Sequence, residues 1–423
     1  MFKTLVTAIS CLPFLGILQA GTARAEDAAL VQARKLVARH PVVDGHNDLP
    51  WAIRESTGAP GDVEAYDLRR RTSGDTDLER LRAGGVGGQF WSVYVPATTG
   101  AGAARLELEQ IDLARRMIAR YPERLTPATS AADVERIIEA GRVASLLGIE
   151  GGHAIENSLG ALRAFHSLGA GYMTLTHSAT LDWADASGQE PRHGGLTRFG
   201  EEVVREMNRL GMLVDLSHTS PDTMADALRV AEAPVIFSHS SARALCDHHR
   251  NVPDAILRRL PENGGVVMVT FVASFISPEY AAASLPLSNE YEERTKDIRD
   301  PRERERIRSE IRARLPRVTI GEVADHVEHV RRVAGVDHVG LGGDFDGNES
   351  WPEGLDDVST YPNLFAELIR RGWSEADLAK LANGNILRVM KQAEAVAARL
   401  QQERPASTAT IEALDGHPSG PRR

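Results

Sequence analysis

The sequence predicts an α/β protein folded as a (β/α)8 TIM-type barrel, with one charged helical excursion inserted in it. Two observations carry that expectation. Short β-branched or apolar runs alternate with helical patterns, and the alternation counts to eight. Alternating strand and helix implies a parallel sheet covered on both faces. Eight such units favour closure into a barrel over an open, doubly wound sheet.

The predicted strands, in order, are Val42 to His46, Gly88 to Tyr94, Val143 to Ile149, Tyr172 to Thr176, Met212 to Leu216, Val235 to Ser238, Val266 to Phe271 and His338 to Gly342. Between them, apolar residues recur every three to four positions over Leu106 to Tyr121, Glu156 to Leu168, Thr197 to Leu210, Pro221 to Val230, Asp254 to Leu260 and Ile320 to Ala334. That spacing is the mark of an amphipathic helix. The Gly-rich stretch Gly84 to Gly88 precedes a strand instead of leading from one into a helix. It therefore reads as loop and close packing, not as a dinucleotide-binding turn. Asn289 to Arg317 is dense in both charges and is expected to be a solvated, salt-bridged helical excursion.

The chain has 423 residues, a formal charge of −10 and two cysteines. An acidic chain without a basic block argues against a nucleic-acid partner. Residues 1–25 read as a secretory signal peptide: Met1-Phe2-Lys3, an apolar run from Leu5 to Ala20, then Ala23-Arg24-Ala25 as a small-x-small cleavage site. Cleavage there would remove Lys3, Arg24 and Cys11, leaving Cys246 as the only thiol. An exported protein, periplasmic or secreted, is expected. Residues 26–400 are expected to form one domain and 401–423 a mobile polar tail.

Catalytic residues of such barrels stand at the C-terminal ends of the strands. Here those ends carry His46 and Asp48, Glu150, His177, His218, His239 and Asp344. A single strand-end histidine is more often packing than a ligand. Four of the chain's fourteen on one rim, among three carboxylates, require another explanation. Such a donor set suits a divalent transition metal, with Zn²⁺ the default. It is too large for one tetrahedral zinc, so two ions sharing a bridging carboxylate and a hydroxide fit the count better. Asp344 to Asn348 begins like a calcium-binding loop, but Glu349 stands where glycine is required and Leu355 where the closing acid is required.

Seven motifs, in order along the chain, carry a family resemblance: Asp44-Gly45-His46-Asn47-Asp48-Leu49-Pro50, Gly148-Ile149-Glu150-Gly151-Gly152-His153, Leu175-Thr176-His177-Ser178, Asp215-Leu216-Ser217-His218, Ser238-His239-Ser240-Ser241, Arg250-Asn251-Val252-Pro253-Asp254 and Gly342-Gly343-Asp344-Phe345-Asp346-Gly347. From about Leu36 to about Glu394 the chain resembles the membrane (renal) dipeptidases of peptidase family M19, whose barrel is related to metal-dependent amidohydrolases. The resemblance implies a binuclear zinc dipeptidase acting on short peptides, including those with a D-residue at the C-terminal position. It assigns His46 and Asp48 to the first zinc, His218 and His239 to the second, and Glu150 to both. His177 would contact substrate and stabilise the oxyanion, Arg250 would pair with the substrate carboxylate, and Asp344 would shuttle the proton. The resemblance also implies a homodimer. The chain departs from the mammalian members in lacking their disulfides and a hydrophobic tail for a lipid anchor, so no membrane anchor is expected. A related metal-dependent N-acyl amino acid deacylase, or a lactone or lactam hydrolase, is the alternative.

Overall fold

The computed structural model describes residues 27–416; the expected signal peptide lies outside them. Eight parallel strands follow one another in chain order: β1 (Val42–Asn47), β2 (Val86–Tyr94), β3 (Val143–Glu150), β4 (Ala170–Thr174), β5 (Leu213–Asp215), β6 (Ile236–Phe237), β7 (Val266–Val269) and β8 (Val339–Leu341). The longest register joins β2 to β3, from Gly88 opposite Ala144 to Tyr94 opposite Glu150. Past the strand ends, β8 and β1 meet. Asn47 bridges Phe345 in parallel sense, Asp48 donates its N–H to the Phe345 carbonyl at 2.9 Å, and Asp344 donates to the His46 carbonyl at 3.2 Å. The expected barrel is therefore present and nearly closed.

Strand periodicity sorts the core. On β2, Phe90 joins a cluster with Val43, Leu146, Tyr172, Val266 and Met268, which continues into Ile386, Val389 and Met390 of the helix Asn385–Glu403. Trp91 and Val93, on the opposite face, join the larger layer between strands and helices with Ile111, Leu113, Val214 and Leu341. Two such faces on one strand are what a covered parallel sheet requires.

Several strands are shorter than the apolar runs that announced them. The run Val235 to Ser238 yields a strand of only two residues, because Ser238 leaves the ladder to bond the Asp215 carboxylate. A short flanking strand, Leu125–Pro127, pairs with β3 outside the barrel path and was not expected. The stretch expected as one helix from Asp254 breaks into Asp254–Leu257 and Leu260–Asn263, with Pro261 in the first turn of the second piece.

The charged excursion is a helical hairpin, Pro278–Thr295 and Pro301–Arg312, beginning earlier than its charge density suggested. It has a small apolar cluster of its own, Leu287, Ile307 and Ile311. Outside that cluster it is laced with ion pairs, among them Arg294–Glu310 at 2.9 Å and Arg306–Glu303 at 2.7 Å. The expectation of a mobile tail from 401 needs correction for residues 401–416. The last long helix runs to Glu403, and a further helix, Ile411–Asp415, docks on the body of the protein. Ile411 is buried, while the Asp415 carboxylate accepts from the Thr197 hydroxyl at 2.6 Å and the Phe199 N–H at 3.2 Å. One apolar anchor and one acid at the start of the helix Arg198–Leu210 hold the segment. Residues 417–423 lie outside the described region. Among the described residues, no helix is long and apolar enough to cross a membrane.

Candidate active site

β1 delivers two side chains to the rim. His46 is fully buried; its Nδ1 lies 2.8 Å from the Tyr172 hydroxyl, which itself donates to the Gly45 carbonyl at 3.2 Å. With the hydroxyl proton committed to Gly45, Nδ1 carries an imidazole hydrogen and Nε2 is the ring atom turned to the site. Burial would lower this imidazole, but Tyr172, Glu150 and Asp48 push it well above its usual range, so a cation bound at Nε2 would take the place of a proton. That Nε2 has no hydrogen-bond partner and faces Asp48 at 3.2 Å and Glu150 at 3.5 Å. Gly148 makes the arrangement sterically feasible, since a Cβ there would stand 2.0 Å from the Tyr172 ring. Asp48 opens the helix Leu49–Arg54 without using its carboxylate as a cap, which leaves that group to the site.

Glu150, at the end of β3, divides the site between its two oxygens. Oε2 accepts from the Ser92 hydroxyl at 3.1 Å and is the oxygen facing His46. Oε1 faces His218, His239 and His177, with Nε2 distances of 3.1, 3.5 and 3.7 Å. His218 follows β5 in the left-handed region, at φ 68°, and its carbonyl is tied down by the Ser187 N–H and the Thr176 hydroxyl. His239 follows β6 and donates Nδ1–H to the Ser238 oxygen at 2.8 Å; Ser238 passes its own proton to Asp215 at 2.5 Å. This relay sets the same tautomer as at His46, again presenting Nε2 to the site.

Arg250 and Asp344 complete the rim. The Arg250 guanidinium is buried, bonded to the Ser240 hydroxyl at 3.4 Å and the His239 carbonyl at 3.3 Å, and lies over the Phe275 ring at 5.2 Å. Asp344 adopts φ 65° and brings Oδ1 to 4.0 Å from His46 Nε2. Asp48, Glu150, His177, His218, His239, Arg250 and Asp344 line one cavity of about 460 Å³, with Trp51, Tyr94 and Phe275 among its walls. His46 lies beside Glu150 beneath it. The structure thus brings together all eight residues singled out from the sequence.

Sequence reading did not single out the aromatic walls, Tyr172, or the Asp215–Ser238 relay. Asp215 and Ser238 stood inside motifs, so a signal existed for them. Nothing in the sequence marked Tyr172.

Three overlapping groups have ligand atoms within 4.8 Å of one another: His46, Asp48 and Glu150; Glu150, His218 and His239; and His46, His239 and Asp344. The electrostatics suit cation binding. Burial holds His218 and His239 well below the usual imidazole range, so both offer lone pairs at neutral pH. Burial would raise Glu150, but His46 and His177 draw it well below the carboxylate range. Burial, reinforced by Asp48 and Glu150, pushes Asp344 well above it. Burial also brings Arg250 down to about 10, which still leaves it charged at neutral pH.

A family model described as membrane dipeptidase (peptidase family M19) matches residues 30–404. The chain belongs to that family. Dipeptidase 3 of Mus musculus is 43% identical over 371 residues, covering 86% of this chain and 67% of the mouse protein. Among solved structures, an M19 metallopeptidase, dipeptidase AC, is 28% identical with a TM-score of 0.71, covering 84% of this chain and 98% of that one. A metallopeptidase from Rhodobacter sphaeroides, solved with a phosphinate mimic of the dipeptide L-Ala-D-Ala, is 27% identical with a TM-score of 0.69, covering 84% and 99%. The chain is accordingly an enzyme of the M19 metallo-dipeptidase class, and its rim of histidines and carboxylates offers candidate metal-ligand groups.

Proposed function

We propose that this M19 enzyme is a binuclear zinc dipeptidase that hydrolyses the single peptide bond of dipeptides, including those with a D-residue at the C-terminal position. The observation that carries the reading is the division of Glu150. One oxygen belongs with His46 and Asp48, the other with His218 and His239, so one carboxylate serves two donor sets. His46 and Asp48 would hold one ion, His218 and His239 the other, and Glu150 both. Bound zinc supplies a Lewis acid for the scissile carbonyl and water acidified to near-neutral pKa.

The remaining work falls to the protein. Arg250 offers a buried, preorganised guanidinium to the substrate's terminal carboxylate. His177, on the cavity wall beside Glu150, donates to the oxygen that becomes negative as the carbonyl carbon turns tetrahedral. Asp344 takes the proton released as water adds and returns it to the amine nitrogen as the C–N bond breaks. Burial holds its carboxyl well above the usual carboxylate range, which favours the proton-holding form. The phosphinate mimic of L-Ala-D-Ala bound by the Rhodobacter sphaeroides relative supports the D-residue part of the reading.

The test is a panel of L-L and L-D dipeptides, run beside N-acetyl amino acids and lactones, with metal analysis of the same preparation. Dipeptide turnover with two zinc ions per chain is expected, and Asp344→Asn should lower kcat by about 10²- to 10⁴-fold. Intact dipeptides alongside cleaved N-acetyl amino acids or lactones would replace this reading with the deacylase or lactonase one.

A further inference from the structure

The turn that carries Asp344 is held in an unfavourable backbone conformation. Asp344 and Asp346 both lie in the left-handed region, at φ 65° and 63°. A residue with a side chain stays there only where its surroundings enforce it. Gly347, next in the chain, is pressed against the site: a Cβ on it would stand 2.2 Å from Asp48 Oδ2 and 2.6 Å from Asp344 Oδ1.

The enforcement comes from a segment far away in sequence and outside every motif. Asp75 donates its backbone N–H to Asp346 Oδ1 at 2.8 Å, and Asp346 donates its backbone N–H to Asp75 Oδ2 at 3.0 Å. Each residue thus clamps the other's main chain across 271 positions. Gly74 closes against the clamp, leaving 2.1 Å between an added Cβ and Asp346 Oδ1. The Asp75 loop is itself braced: Arg80, pinned by Asp77 at 2.6 Å, donates to the Gly74 carbonyl and the Thr72 hydroxyl, each at 2.7 Å. Thr76 meanwhile accepts from Asn47, the residue between the two β1 site groups, at 2.9 Å.

We propose that Asp75 is a positioning residue for catalysis, acting through its reciprocal hydrogen bonds with Asp346 to fix the turn that aims Asp344. The proposal rests on Asp344 being the proton carrier. It assigns the stretch from Thr72 to Asp77 to the active site although none of its side chains reaches the reacting atoms. A shift of the turn by an ångström would misalign the proton transfer while leaving Arg250 and the proposed ligands Glu150, His218 and His239 where they are, and such misplacement costs on the order of 10²-fold.

The test uses the full-length, metal-loaded enzyme and its best dipeptide. Asp75→Ala, which deletes the acceptor for the Asp346 N–H, should lower kcat about 10- to 100-fold with KM within about twofold and metal content unchanged. Asp75→Asn keeps a side-chain oxygen in place and should recover most of kcat. Gly74→Ala, which wedges Asp346 from the other side, should reproduce the Asp75→Ala defect and carries the test if that variant does not fold. Unchanged kcat in both Asp75→Ala and Gly74→Ala, or a loss shared with KM or metal content, overturns the proposal. Asp344→Asn separates the two readings. If it turns over normally the proton-carrier role fails; if it is impaired while neither Asp75→Ala nor Gly74→Ala is, the positioning role alone fails.

Discussion

Side chains of the candidate site are held by partners that sequence proximity only sometimes reveals. Ser238 stands between a buried carboxylate and a histidine, and its single hydroxyl both accepts from His239 and donates to Asp215. Removing it leaves His239 free to rotate or to change tautomer, either of which withdraws Nε2 from the site. Ser238→Ala is therefore expected to weaken metal affinity about 10- to 100-fold, as loss of such supporting partners generally does. Ser238→Thr, which keeps the hydroxyl, should restore much of it. Competition against a chromogenic chelator measures both variants, and equal affinity of Ser238→Ala and wild type would remove the relay from the account. At this scale the residues with chemistry were legible in the sequence because histidines and acids at strand ends are conspicuous. Tyr172 and Asp75 were not, since their partners lie 126 and 271 residues away and only the closed barrel brings them together.

The elements follow the apolar pattern closely where the pattern is long, and depart from it where a side chain has another task. The helix Ile320–Ala334 matches its predicted span, begins with a capping box between Thr319 and Glu322, and sends His326 inward. There His326 accepts from the Ala242 N–H through Nδ1 at 3.0 Å and donates Nε2–H to the Ile276 carbonyl at 2.9 Å, joining the helix to the loops after β6 and β7. Burial lowers this imidazole to about 4. Because the folded pKa lies below the unfolded one, the unfolded chain binds the extra proton between them. Stability from His326 is thus full above about pH 6.5 and is lost as pH falls toward 4. The span corresponds to roughly 3 kcal/mol at about 1.4 kcal/mol per pKa unit. Thermal melts between pH 4 and 7 should show a shallower acid loss in His326→Gln than in wild type, and identical slopes would contradict the assignment. By the same logic of tasks, the strands ending in Asp215 and Phe237 are short because the residues after them turn out of the ladder to serve the site.

Over the whole molecule, the candidate metal centre is also a mechanical joint. Its proposed ligands come from β1, β3, β5 and β6 and the turns that follow them, so any ion held there ties together strands spread around much of the barrel. That circuit was readable from the sequence, because eight-fold alternation plus donors at six of the eight strand ends leaves few other ways to gather the residues. The docking of residues 401–416 was not, because it depends on Ile411 and Asp415 finding a helix some two hundred positions earlier. A ligand that binds only the folded state stabilises it by RT ln(1 + [L]/Kd), about 4 kcal/mol when the ion is a thousandfold above its Kd. Chelated enzyme is therefore expected to melt at a lower temperature than zinc-loaded enzyme, with the midpoint climbing as free zinc is raised. Because the free-energy gain is logarithmic in zinc, the rise should slow but persist beyond full occupancy. His46→Ala should keep only the part of that gain due to the second donor set, and His218→Ala only the part due to the first. Glu150→Ala, which strips a ligand from both, should lose nearly all of it. Coincident melting curves for chelated and zinc-loaded wild type would mean that this rim holds no ion, and the division of Glu150 between two donor sets would need a different explanation.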